Sequence, residues 1–246
     1  MLNKYLSSVF TTVWINRKNL KMNFLEYLML VILFPLTYLI VSITSSDSLN
    51  LNYKVSGMFI SMIISIFVNM QGTLIANANL ITTRELYATY GVKPIHVFDG
   101  ISIFHLIVIF PMIMLTTLLC FLIGCNIRCF HLIISIITVF LFLSSLSKML
   151  GGLIKNPQIA TPIISMCYMI IVIISPIYYS ISTNSHIIWF NPFAWLCESV
   201  RTSLGMGSAY SFELMTSSLL IISIVFRIVS IRIFNDSGAI EKNTII

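Results

Sequence analysis

Residues 101–123 read ISIFHLIVIFPMIMLTTLLCFLI, twenty-three consecutive positions without an Asp, Glu, Lys or Arg. As a helix rising about 1.5 Å per residue the run is about 34 Å long, enough to cross the roughly 30 Å hydrocarbon layer of a bilayer. Comparable apolar stretches lie near 24–44, 55–78, 131–148, 159–181 and 212–232, so the pattern predicts six transmembrane helices. Composition agrees. Of 246 residues, 58% are hydrophobic and 9% charged, against about 25% charged in ordinary globular domains. A water-soluble monomer could not cover its surface with so few charges. The expected fold is an all-α integral membrane protein: one transmembrane domain over residues 1–234 and a short cytoplasmic tail at 235–246.

Upstream of the first span the periodicity changes. Leu2, Tyr5, Leu6, Val9, Phe10, Val13 and Trp14 recur at offsets of three and four, opposite Asn3, Lys4, Ser7, Ser8, Thr11 and Thr12. This predicts an amphipathic helix over about 2–20 lying along the membrane surface, with Trp14, Arg17 and Lys18 at headgroup depth. The net charge of +6 forms no nucleic-acid stripe. Its distribution gives an orientation instead. With the N-terminus inside, the cytoplasmic segments hold Lys4, Arg17, Lys18, Lys21, Arg84, Lys93, Lys148, Lys155 and Lys242. Arg227 and Arg232 reach the same side by snorkelling, and only Lys54, Arg128 and Arg201 lie outside. The bias predicts both termini in the cytoplasm. Pro35 and Pro111 fall inside the first and third spans, where neighbouring helices can re-satisfy the freed backbone.

The chain lacks the usual reactive sets. There is no GxxxxGK[ST] loop, no HExxH and no GxSxG, so no catalytic residue is assigned and no cofactor is expected on this chain. The cysteines at 120, 125, 129, 167 and 197 have no zinc or haem spacing, and no metal is expected. Cys125 and Cys129 share an expected external loop, which leaves a disulfide open beside the free-thiol reading. The centres of the expected spans hold no Asp, Glu or Lys, which disfavours an ion-coupled carrier.

Two connections are more structured than loops need to be. Between the second and third spans runs ITTRELYATYGVKPIHVFDG from Ile81. Thr82 or Thr83 can cap a short helix over 84–90, Gly91 can end it and Pro94 blocks its return. Thr83, Arg84, Glu85, Tyr87 and Tyr90 would then form a docking surface for another protein; spacing alone does not separate this from a solvated turn with a local Arg–Glu contact. Between the fifth and sixth spans WFNPFAWLCESVRTSLGMG begins at Trp189. Its aromatic content predicts short helices dipping into the outer interface, with Glu198 and Arg201 paired three residues apart on one face.

These segments, in this order, resemble the type-2 ABC transporter permeases, the membrane subunits of bacterial exporters. The resemblance covers residues 1 to about 234. It rests on Asn191, Pro192, Glu198, Arg201 and Gly205 before the last span, and on Arg84 and Glu85 followed by Val92, Lys93 and Pro94 before the third. Leu86 and Tyr87 depart from the small residue that often follows the family's glutamate.

The resemblance implies re-entrant external helices before the last span, with Asn191, Pro192, Glu198 and Arg201 forming an external gate. It implies a plasma-membrane complex of two permease copies, identical or related, with two copies of a separate ABC ATPase carrying the ATP and magnesium. The helix around Glu85 would be the coupling helix that receives the ATPase. The implied function is export of an amphipathic substrate: a drug, an antimicrobial or toxin peptide, or a lipid-linked molecule. Competing readings are an ion-coupled secondary carrier and a membrane immunity protein that binds a toxic peptide.

Overall fold

The computed structural model describes residues 2–22, 24–29, 33, 40, 51–122, 124–154, 156–177, 190–208 and 210–243, and all regular structure among them is helical. The expected first span, 24–44 with Pro35, falls largely outside the described residues. Helix α1 covers Leu2–Met22 and α2 covers Phe24–Leu28. The second span starts as α3, Leu51–Ile64, widens into a π-helical segment, Ser65–Gln71, and ends as α4, Gly72–Ala78. The short α5, Ile81–Thr89, leads to α6, Pro94–Leu122, and then α7, Cys129–Leu153. After a 3-10 turn at Pro157–Ile159 come α8, Ala160–Ile174, α9, Pro192–Ser203, and α10, Phe212–Asn243.

Among the described residues four helices are long and apolar enough to cross a membrane: Tyr53–Ala78, Ile95–Leu122, Cys129–Leu153 and Phe212–Ile233. They match the expected second, third, fourth and sixth spans. The third begins earlier than expected because Pro94 occupies the first helical position, where its missing N–H costs nothing. The fifth, expected over 159–181, is shorter: α8 is capped at Ser175, just before Pro176, a residue that disfavours helix in its predecessor. Its fifteen residues span about 22 Å at 1.5 Å per residue. The last helix continues through Asn243, so the expected tail from 235 extends it up to that residue.

The second span is the centre of the fold. Its most apolar window is 78% buried, against 39%, 44% and 28% for the other three. Phe59, Ile60, Ile64, Ile66 and Phe67 line it with almost no exposed surface and meet Phe142 and Leu143 of α7. Close approach near its end needs glycine: a Cβ on Gly151 would lie 2.7 Å from the Gly72 carbonyl oxygen. The outer sides of α6, α7 and α10 carry exposed Phe110, Leu118, Ile137, Ile221 and Ile224. All five cysteines are free thiols, Cys125 and Cys129 included.

Helix α1 lies against α6, with Leu6, Phe10 and Trp14 outward on one stripe. Arg17 and Lys18 are exposed beside them, and the Lys18 ammonium lies 5.5 Å from the Trp14 ring centre. Thr12 corrects the helical-wheel reading. Assigned to the polar outer face, it is fully buried, because Gly100 of α6 leaves room for it; a Cβ there would sit 2.4 Å from the Thr12 Cβ. Its hydroxyl is satisfied by the Ser8 carbonyl at 3.0 Å.

Candidate functional site

The turn between the second and third spans folds as α5 for local reasons. Its C-terminus is closed by Gly91 at φ +67°, with the Val92 N–H donating to the Tyr87 carbonyl at 3.0 Å and the Gly91 N–H to Ala88 at 2.8 Å. This double bond pattern satisfies the last orphan carbonyls, and Tyr87 and Val92 bury together in one cluster beneath it. The N-terminus differs from expectation. The helix starts at Ile81 with Leu80 in the cap position and no side-chain cap bond, so Thr82 and Thr83 sit inside it.

The expected docking residues divide. Glu85 is exposed, with Leu86 46% and Tyr90 52% exposed beside it, whereas Thr83 and Arg84 are half-buried. The Arg84 guanidinium lies 3.5 Å from the Asn79 side-chain oxygen, and Asn79 donates to the Gly151 carbonyl at 3.2 Å. Tyr87 does not share the outer surface. It is buried, and its hydroxyl accepts a bond from the Asn16 amide of α1 at 3.2 Å. Burial pushes this phenol above its usual range, so it stays protonated. Leu86, which the sequence offered only as a departure, is on the outer face.

The second site is built on α9. Asn191 caps it, accepting from the Phe193 N–H at 3.0 Å, and Pro192 takes the first helical position. The same Asn191 side chain donates to the Ile174 carbonyl at the end of α8, 3.1 Å away. Gly205, at φ +82°, closes the other end; the Met206 N–H donates to Arg201 and the Gly205 N–H to Thr202. Trp189 lies outside the described residues, while Phe193 and Trp195 are half-buried.

Arg201 is fully buried, and Glu198 beside it is 3% exposed. The guanidinium donates to Glu198 at 3.1 Å and to the Ile177 carbonyl at 2.7 Å, and its Nε lies 3.5 Å from Ser56 Oγ. Its carbon stacks 4.3 Å from the Tyr53 ring centre. One side chain thus joins α9, the start of the second span and the segment after α8. Gly57 permits this approach, since a Cβ there would lie 2.6 Å from the Ile177 carbonyl oxygen. Paired and hydrogen-bonded on several sides, the charge is tolerable at this depth; alone it would not be.

A sequence profile of the ABC-2 type transporter family matches residues 5–204, from α1 to the last turn of α9, both short helices included. The chain belongs to that family. No curated protein matches it closely enough to narrow the assignment. As an ABC transporter permease it is a multi-pass membrane protein of a family that normally works with an ABC ATPase subunit.

This permease also holds an ion cluster that its sequence did not reveal. Asp99 of α6 accepts from Lys148 of α7 at 2.8 Å and from both terminal nitrogens of Arg227 of α10, at 2.7 and 2.8 Å. Tyr5 of α1 donates to the same carboxylate at 3.1 Å. Asp99, Lys148 and Arg227 are remote in sequence, but each lies a turn or two inside a span, toward the end where α1 sits. That shared depth was the available signal. Beside them Gln71, at the end of the π segment, donates to Ser102 at 2.9 Å, and Ser144 donates to the same hydroxyl. Among the described residues no group of three His, Cys, Asp or Glu side chains is placed to hold a metal.

Proposed function

We propose that this permease is the membrane half of an ABC exporter that moves an amphipathic substrate out of the cell. A separate ATPase, present in two copies with ATP and magnesium, docks on α5 of each of two permease copies, identical or related. The observation that carries this reading is the construction of α5: a short helix closed at Gly91, presenting Glu85, Leu86 and Tyr90 outward while Tyr87 bonds Asn16 beneath. A docking partner can then push on a helix that is fastened to both α1 and the second and third spans. For an ATPase to drive the change it must bind the two permease states differently, and a fastened docking helix lets it do so.

In this reading the complex lies in the plasma membrane with both termini cytoplasmic, as the Lys and Arg distribution favours. Helix α9, too short to cross, is a re-entrant external element, and Asn191, Pro192, Glu198 and Arg201 hold it in place at the outer exit. Candidate substrates are drugs, antimicrobial or toxin peptides and lipid-linked molecules.

The decisive experiment is Glu85→Ala, reconstituted with its ATPase in proteoliposomes. The variant should fold and pair normally while transport falls away from ATP hydrolysis. Full transport by Glu85→Ala would remove the coupling role. Gradient-driven transport by the chain without any ATPase would favour a secondary carrier, and ligand binding without turnover an immunity protein.

A further inference from the structure

The Asp99 cluster lines a cavity of about 410 Å³ between α6, α7 and α10. Its polar lining is made by Asp99, Lys148 and Arg227 with Ser144, Ser145 and Ser223. The apolar lining is open: Leu141, Leu220, Ile224 and Ile228 line the cavity and are exposed on the outer surface of the helices. A molecule entering here sideways from the bilayer would meet hydrocarbon first and charge last.

The charge does not balance. Two cations face one carboxylate, and Tyr5, from the element packed across the cluster, adds a neutral donor. Arg227 covers Asp99 in a bidentate fork, which by itself neutralises the carboxylate. Lys148 is therefore the surplus charge. It is 5% exposed, and of its three ammonium donors one reaches Asp99. A buried cation with unfilled donors inside a span is costly, and such a site gains most from an anion with several acceptor oxygens.

We propose that this cavity binds a phosphate-bearing amphiphile, an anionic phospholipid of the leaflet on the α1 side. Its phosphate meets Lys148, Arg227 and the Ser145 hydroxyl, the Ser144 and Ser223 protons being given to Ser102 and the Leu219 carbonyl, and its chains lie along Leu141, Leu220, Ile224 and Ile228. At about 1.5 Å of rise per residue, Asp99 is about 6 Å inside the span that begins at Ile95, a depth at which a headgroup can reach it. The site is independent of whether the chain couples to an ATPase.

The test uses the full-length chain in a non-ionic detergent with dioleoyl phosphatidylglycerol or dioleoyl phosphatidylcholine, reading retained lipid by native mass spectrometry and the thermal midpoint by Trp fluorescence. The wild type should retain phosphatidylglycerol preferentially and be stabilised by it. Lys148→Met keeps the Asp99–Arg227 fork and should fold, yet retain about ten-fold less phosphatidylglycerol, the size of one charge-assisted hydrogen bond. Asp99→Asn raises the surplus charge and should retain more, with a stability that depends on the lipid. If the cluster were only a structural clamp, both variants would lose stability and neither would change lipid preference, which overturns the proposal. Equal retention of the two lipids by the wild type also overturns it. Inorganic phosphate alone should not reproduce the stabilisation; if it did, the apolar half of the cavity would be idle and the lipid assignment would fail.

Discussion

Helices α5 and α9 make an instructive pair. Each is short, each ends in a left-handed glycine with the same double hydrogen-bond closure, and each carries an Arg and a Glu close together. In α9 both charges are buried, and Arg201 reaches Glu198, Ile177, Ser56 and Tyr53. In α5 Glu85 stays exposed, and its neighbour Arg84 is half-buried toward Asn79. The same residue types therefore serve opposite ends: a completed set of bonds fixes a structure, and an exposed charge on a fixed structure remains available to a partner. The second span explains the contrast, because Tyr53, Ser56 and Gly57 surround α9 with partners while nothing among the described residues covers the outer face of α5.

The largest test of this contrast is Arg201→Ala. It leaves Glu198 buried without its cation and should lower stability by about 3–5 kcal/mol, read as a lower thermal midpoint in detergent or loss of folded protein. Arg201→Lys should recover little, since one ammonium cannot span Glu198, Ile177 and the Tyr53 ring together. A near-neutral Arg201→Ala would mean that α9 is not held by its ion pair.

Next come the two closing glycines. Gly205→Ala meets both the positive φ and the Asn126 carbonyl oxygen, 2.3 Å from the added Cβ. Strain in the left-handed region costs about 1–2 kcal/mol, and the forced contact adds roughly 1–3 kcal/mol. Gly91→Ala has the same kind of φ but nothing within 4 Å of the new Cβ, so only the first cost applies. Equal midpoints for the two variants would show that α9 yields at Asn126 as freely as α5 does in open space.

Asn191→Ala removes a cap and the tie to Ile174, and a loss of about 1 kcal/mol is expected. Smallest is Glu85→Ala, a surface change that should stay within about 0.5 kcal/mol whatever it does to transport. A large loss of stability there would contradict the exposed position and make Glu85 a structural residue.

The sequence carries the second, third, fourth and sixth spans, the N-terminal helix and both short helices because their signals are local: apolar runs, a 3.6-residue stripe, and Asn-Pro and glycine punctuation. Tyr87 was misjudged because the phase of α5 is set by the burial of Val92 and the reach of Asn16, contacts that no spacing rule supplies. Thr12 was misjudged because polarity alone assigned its face, although the room at Gly100 decides it. The end of α8 was legible in Ser175-Pro176, but the apolar residues beyond it masked the break. The Asp99 cluster joins three distant spans, and the shared depth of its residues hints at a common level but not at their pairing; the π segment has no sequence signature at all.

Helix α1 is held at Tyr5 by Asp99, at Thr12 by the glycine recess and at Asn16 by Tyr87. These points are spread over about 16 Å of helix at 1.5 Å per residue. A rod pinned at one place can swing; a rod pinned at three along most of its length cannot. Displacing α5 therefore either breaks the bond at Asn16 or carries α1 and the start of α6 with it, so a helix lying beside the spans behaves mechanically as part of their frame.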